Sequence, residues 1–222
     1  MCGRFTLFVD PKDLMEAFPG FALPAEWTPR YNIAPSQPIA VIPNSGENKI
    51  ELFRWGLIPS WAKDPTIGNR MINARAETLA EKPAFRAAYR QRRCLVLADG
   101  FYEWRKEPGR GTKTPMYIRL ESGEPFAFAG LWESWRGPDD QPIRSCTIIT
   151  TTPNALVERI HNRMPVILGR EAYEPWLDPS PQSPDRLGTW LRPYPASQMV
   201  AYPVSTQVNN PSNDSPACII AA

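Results

Sequence analysis

Short apolar runs rich in β-branched and aromatic residues recur along the chain, at Ile39–Ile42, Ile50–Trp55, Cys94–Ala98, Pro115–Leu120, Phe126–Leu131, Arg144–Thr150, Met164–Leu168 and Val200–Val204. Each has the length and content of a β-strand, and together they predict a sheet or an open barrel. Helical patterning is scarcer: Pro11–Phe18, a stretch from about Lys82 to Arg90, Pro153–Ile160 and Glu171–Leu177. Thr152 before Pro153 reads as an N-cap with proline at the first helical position. Thr78-x-x-Glu81 resembles a capping box, although Pro83 interrupts the helix that would follow it. The 26 prolines spread through 222 residues exclude long helices and predict many short elements joined by rigid turns.

That length suits one compact domain, expected over residues 1–209, with 210–222 as a C-terminal tail. The proline-rich segment Asp178–Pro195 reads as a surface excursion, because apolar material follows it. No apolar stretch approaches the roughly 20 residues that cross a bilayer, and the start MCGRFTLFVDPKD lacks a secretory apolar segment. A cytoplasmic protein without membrane contact is expected. Cys2, Cys94, Cys146 and Cys218 are widely scattered and His161 is the sole histidine, so neither a metal site nor a cofactor is expected. The four thiols should stay free, with Cys94 and Cys146 as small buried residues inside strands.

Net charge is only +2, but residues 70–113 carry eleven Lys and Arg against five Asp and Glu. Arginine outnumbers lysine 19 to 6, and its planar fork suits phosphate contacts and stacking on bases. The same imbalance also describes an ordinary solvated basic surface. The sequence carries no signal for an oligomer, and a monomer is expected.

Cys2 stands in unusual chemistry. Removal of the initiator Met1 before a small residue would leave a free α-amine beside a thiol. An amine with a reference pKa of about 7.7 to 8.0 is partly neutral at cellular pH and forms a Schiff base with an aldehyde. The neighbouring sulfur then closes a five-membered thiazolidine. Glu103 follows a Gly100 break between Tyr102 and Trp104. A carboxyl desolvated by aromatic neighbours gains the raised pKa of a general acid, or else it pairs with a nearby arginine. His161, at a helix-to-strand junction, is either a proton carrier or a structural residue. Asn73 either satisfies its own backbone or orients a ligand hydroxyl. Arg4, Arg75 and Arg163 lie near these groups in sequence and suit phosphates; Trp61 and Trp104 offer stacking faces, and Trp55 belongs to the core.

Met1-Cys-Gly-Arg-Phe5, Arg30-Tyr-Asn-Ile-Ala-Pro35, Trp55-Gly-Leu-Ile-Pro59, Ile72-Asn-Ala-Arg-Ala-Glu-Thr78, Ala98-Asp-Gly-Phe-Tyr-Glu-Trp104 and Ile160-His161, in that order, resemble the SOS response-associated peptidase family. The resemblance implies a single α+β domain with a twisted, barrel-like, mostly antiparallel sheet, a few short peripheral helices and a positively charged DNA channel. It implies recognition of abasic sites in single-stranded DNA, including junctions with duplex, and a thiazolidine crosslink through Cys2, with lyase activity in some members. Carried over by motif, Cys2 is the nucleophile, Asn73 orients the opened sugar, Glu103 assists proton transfer, and His161 assists ring opening and reversal. DNA contacts are implied at Arg4, Asn32, Pro35, Trp61, Arg75, Trp104, Thr150 and Arg163. Trp61 is followed here by Ala62, which removes the second aromatic of the family's pair. Two other classes fit the same residues: an autoproteolytic or amide-hydrolysing enzyme whose α-amine acts as base, and a non-catalytic reader of modified or single-stranded DNA.

Overall fold

A computed structural model describes every residue except 1, 25, 26, 108, 110 and 139. Its strands are β1 (Phe5–Leu7), β2 (Arg30–Ile33), β3 (Pro38–Pro43), β4 (Glu51–Trp55), β5 (Asn73–Arg75), β6 (Arg93–Ala98), β7 (Gly100–Lys106), β8 (Lys113–Leu120), β9 (Phe126–Arg136), β10 (Pro142–Thr151), β11 (Met164–Pro165), β12 (Ile167–Leu168) and β13 (Met199–Pro203). The α-helices are short: α1 (Pro11–Ala17), α2 (Arg86–Gln91), α3 (Tyr173–Leu177) and α4 (Pro184–Gly188). The class is α+β, as the family resemblance implies. No helix among the described residues is long and apolar enough to cross a membrane.

Strands β10, β4, β3, β6 and β9 pair in that order, and β9 pairs back onto β10, which closes a barrel. Only the β10–β4 step is parallel. Small residues permit this curvature. A Cβ on Gly130 would lie 2.8 Å from the Cys94 Sγ, so β9 and β6 come together only where that side chain is missing. Cys94 and Cys146 are fully buried, and all four cysteines are free.

A second antiparallel sheet runs β13-β8-β7-β1-β2. Phe5 of β1 fastens it to the barrel, packing edge-on against Trp55 at 5.1 Å and Phe128 at 5.8 Å. Beside it, the Thr6 hydroxyl donates to the Asp99 carboxylate and lies 2.9 Å from the Tyr117 hydroxyl. Tyr117 fills the space at Gly100, where a Cβ would meet its oxygen at 2.1 Å. The glycine that opens β7 is therefore required by packing. Elsewhere Arg93, fully buried, donates to the carbonyls of Tyr89, Arg90, Trp176, Asp178 and Ser180. It closes the ends of α2 and α3, which accounts for one central arginine without any partner outside the chain.

Three expectations need correction. Pro153–Ile160 holds only a 3-10 turn, Val157–Arg159, because the Asn154 side chain accepts from the Leu156 and Val157 amides and starts the turn two residues late. The capping box does not form. The Thr78 hydroxyl donates weakly back to the Arg75 carbonyl at 3.5 Å, and α2 begins only after Phe85. The segment from Asn210, which reads as a tail, is packed down: Cys218 is fully buried, Val204 bridges Ala221, and Asp214 accepts from the Tyr31 and Asn32 amides.

Candidate active site and nucleic-acid interface

The chain enters β1 alongside β7. Phe5 pairs with Phe101, and the Tyr102 amide donates to the Arg4 carbonyl at 2.9 Å. Continued towards the terminus, this register carries Gly3 and Cys2 past Glu103. Cys2 is fully buried, and its carbonyl accepts a 2.7 Å hydrogen bond from Asn73 Nδ2. Asn73 opens β5, a strand that exists because β10 offers it an edge at Ile148–Thr150. Its Oδ1 is buried without a hydrogen-bond partner among the described residues, which leaves an acceptor available for a substrate hydroxyl.

Burial sets the protonation states. It raises the Cys2 thiol well above its ordinary value, and the Glu103 charge raises it further, so the sulfur holds its proton at neutral pH. Glu103 is only 3% exposed, and burial pushes its carboxyl up to about 7. That is the range in which a general acid works near neutrality. The expectation of a desolvated carboxyl is met in this respect. Burial lowers His161, and the charges of Lys113 and Lys106 act in the same direction. Its Nδ1 is within hydrogen-bond reach of both the Arg163 amide, at 3.1 Å, and the Arg163 carbonyl, at 3.3 Å.

The DNA-contact candidates separate into groups. Arg4 donates from one guanidinium nitrogen to Asn32 Oδ1 and to the Val208 carbonyl, both at 2.7 Å, and lies over the Trp104 ring at 5.9 Å. Trp104 in turn donates from Nε1 to Asn209 Oδ1 at 2.8 Å. Asn32 is fully buried, and its Nδ2 donates to the carbonyls of Val208, Asn210 and Asn213. Its amide group is thus engaged within the chain, and its oxygen holds Arg4. Two residues beyond Asn73 on β5, exposed Arg75 pairs in register with Thr150. Arg163 grips Glu77 with two hydrogen bonds, of 2.6 and 2.9 Å, and donates to the buried Thr150 carbonyl at 2.6 Å. Pro35 is half-buried and Trp61 is 60% exposed. No side-chain hydrogen bond or ring contact among the described residues joins either to these groups.

The residues that sequence reasoning missed are Glu77, Val208, Asn209 and Asp214. Glu77 lay inside the Ile72–Thr78 motif, where its spacing from Arg75 was visible. The other three sit in a stretch of turn-forming residues that resembles a loose end. An apolar cavity of about 990 Å³, lined by Phe18, Phe21, Tyr173 and Leu177, shares no residue with this site.

Residues 1–211 match a family model described as SOS response associated peptidase (SRAP). The chain is 53% identical over 222 residues to "Abasic site processing protein YoqW" of Bacillus subtilis (strain 168), covering 99% of each. It is 30% identical to "Abasic site processing protein HMCES" of Rattus norvegicus, across 100% of this chain and 76% of that protein. Among solved structures, a protein from Bacteroides thetaiotaomicron superposes with a TM-score of 0.88 at 28% identity, covering 100% of both chains.

Proposed function

The chain belongs to the SOS response associated peptidase family, and we propose that it processes abasic sites in single-stranded DNA by bonding covalently to them through Cys2. The observation that carries this reading is the placement of Cys2 against Glu103 and under the Asn73 amide. The names of the relatives, abasic site processing proteins, point to the same substrate.

The reaction begins with removal of Met1, which lies outside the described residues. The Cys2 amine adds to the aldehyde carbon of the ring-opened abasic sugar. Asn73 Oδ1 accepts from a hydroxyl of that sugar and holds the carbon in place. Glu103, protonated near neutral pH, donates to the carbinolamine oxygen, which leaves as water and gives the imine. The thiol then adds to the imine carbon, and its proton passes to nitrogen. One water is released and a thiazolidine remains. A thiol that keeps its proton suits the last step, since sulfur and proton both enter the product. If the ring does not close, the imine acidifies the neighbouring carbon. Loss of that proton to His161, followed by departure of the 3′ phosphate, gives strand cleavage.

The test mixes purified protein with abasic single-stranded DNA and separates the products under denaturing conditions. The expected product is a covalent species whose intact mass equals DNA plus the chain beginning at Cys2, less one water. Absence of that species, or a crosslink retaining Met1, overturns the mechanism. Turnover of a peptide or amide in its place would assign Cys2 to hydrolysis.

A further inference from the structure

The hairpin of β7 and β8 ends with two lysines directly opposite each other, Lys106 against Lys113. Like charges in that position repel. Both side chains are exposed, and among the described residues neither forms an ion pair. Their neighbours behave differently: Arg105 and Thr114 both bind the Glu107 carboxylate. The lysines border a cleft of about 350 Å³ whose lining includes Arg159, His161 and Trp104, with Glu158 as its one acid. It thus holds three full cations against one carboxylate. The Trp104 ring in this cleft is already fixed, by its bond to Asn209 and by Arg4 lying over it. Lys113 acts electrostatically on both Glu103 and His161, so the cleft opens beside the reacting groups. Its cations are residues other than Arg75 and Arg163, although its lining residues His161 and Asn162 lead directly into Arg163.

We propose that this cleft is a second strand-binding subsite, in which Lys106, Lys113 and Arg159 take a phosphodiester flanking the abasic nucleotide and Trp104 stacks the adjoining base. The inference rests on the reading of Cys2 as the abasic-site centre, since it is the strand bound there that continues into the cleft. A cationic groove beside an aromatic face is the general arrangement for unpaired nucleic acid. The subsite gives the protein a polarity: nucleotides on one flank of the lesion add affinity through the lysines, and nucleotides on the other do not.

The experiment uses three abasic oligonucleotides: one with short flanks on both sides, one extended only 5′ and one extended only 3′. For each, the dissociation constant and the rate of crosslinking at low protein are measured with the parent and with Lys106→Gln/Lys113→Gln. The quantity read is the affinity gained on extension. In the parent, one polarity should gain about tenfold, the scale of a pair of charge-assisted phosphate contacts. In the double variant that gain should vanish while the gain from the other polarity persists. Arg159→Gln, also in the lining, should reduce the same gain and spare the other. Equal gains in parent and variant overturn the subsite. So does a loss shared equally by all three substrates, which would place the lysines in the chemistry. If the parent forms no covalent product yet binds undamaged extended strands with the same lysine-dependent polarity, the abasic-site reading fails and the subsite stands.

Discussion

Asn32 accepts a 2.7 Å hydrogen bond from Arg4 while its own amide donates to three carbonyls of the segment from Val208 to Asn213. Through this side chain, and directly through the Val208 carbonyl, the last part of the sequence fixes an arginine two residues from Cys2. Asp214 reinforces the arrangement by accepting from the Tyr31 and Asn32 amides. Replacing Asn32 by Ala strips Arg4 of a partner in a buried setting, where an unmade hydrogen bond costs about 1–3 kcal/mol. We expect that loss in denaturant unfolding, together with roughly tenfold weaker binding of single-stranded DNA. A variant that loses stability but binds DNA like the parent would show that Arg4 does not touch the strand.

Asp99 gives stability a pH dependence of unusual sign. Burial raises its carboxyl to about 6, against the opposing hydrogen bonds of Thr6, Phe8 and Val9. The folded value lies above the unfolded one of about 3.9, so its contribution is greatest below pH 4 and declines as pH rises towards 6, with no further change above. The stability difference between the parent and Asp99→Asn should therefore favour the parent more at pH 4 than at pH 7, by up to about 3 kcal/mol. Urea titrations of both proteins across that range measure it. A difference independent of pH contradicts the assignment.

The eight apolar runs of the sequence all became strands, because a fully buried strand such as β6 is specified by its own composition. The strands that carry chemistry were not legible in this way. β1, β2 and β5 are three or four residues long, and β7 begins at a glycine. Asn73–Arg75 has no strand signal of its own and is extended only because β10 presents an edge. Residue identity was legible where pattern was not: Cys2, Asn73 and Glu103 are recognisable from the motifs around them, and the structure brings them together. The fixing of Arg4 and Trp104 by Val208 and Asn209 joins residues about 200 and 100 positions apart. No local pattern encodes such contacts. The central basic cluster was legible in number but not in role, since Arg93 is wholly internal and Arg92 pairs with Glu133.

Arg75 should report directly on the backbone. It is exposed, it sits on the strand of Asn73, and its neighbour Arg163 is already held by Glu77. Each phosphate neutralised on a single strand contributes about 0.7 to the slope of log affinity against log salt. Arg75→Ala is expected to flatten the slope by about that amount. Binding isotherms at several salt concentrations decide it, and an unchanged slope would remove Arg75 from the interface.

The last prediction concerns the division of labour among Cys2, Glu103 and His161. Crosslinking needs the amine neutral and the Glu103 carboxyl protonated. The rate should rise with pH as the amine, with a reference pKa of about 7.7 to 8.0, loses its proton. It should fall as Glu103, raised by burial to about 7, ionises. The profile is then bell-shaped, with its maximum between about pH 7 and 8. Glu103→Gln cannot donate a proton, so it should slow crosslinking by about 10² to 10⁴ and lose the falling limb, with DNA affinity little changed. Cys2→Ala keeps the terminal amine but has no sulfur to close the ring. It should yield no lasting crosslink, while borohydride still traps an imine and some strand cleavage continues. Burial lowers the His161 pKa and so favours its neutral form, and His161→Ala should reduce cleavage and reversal more than binding. Time courses of crosslinked and nicked DNA across pH, with affinity measured separately on undamaged strands, test all three. A durable crosslink from Cys2→Ala would sink the thiazolidine, and a falling limb that survives in Glu103→Gln would move the acid to another group.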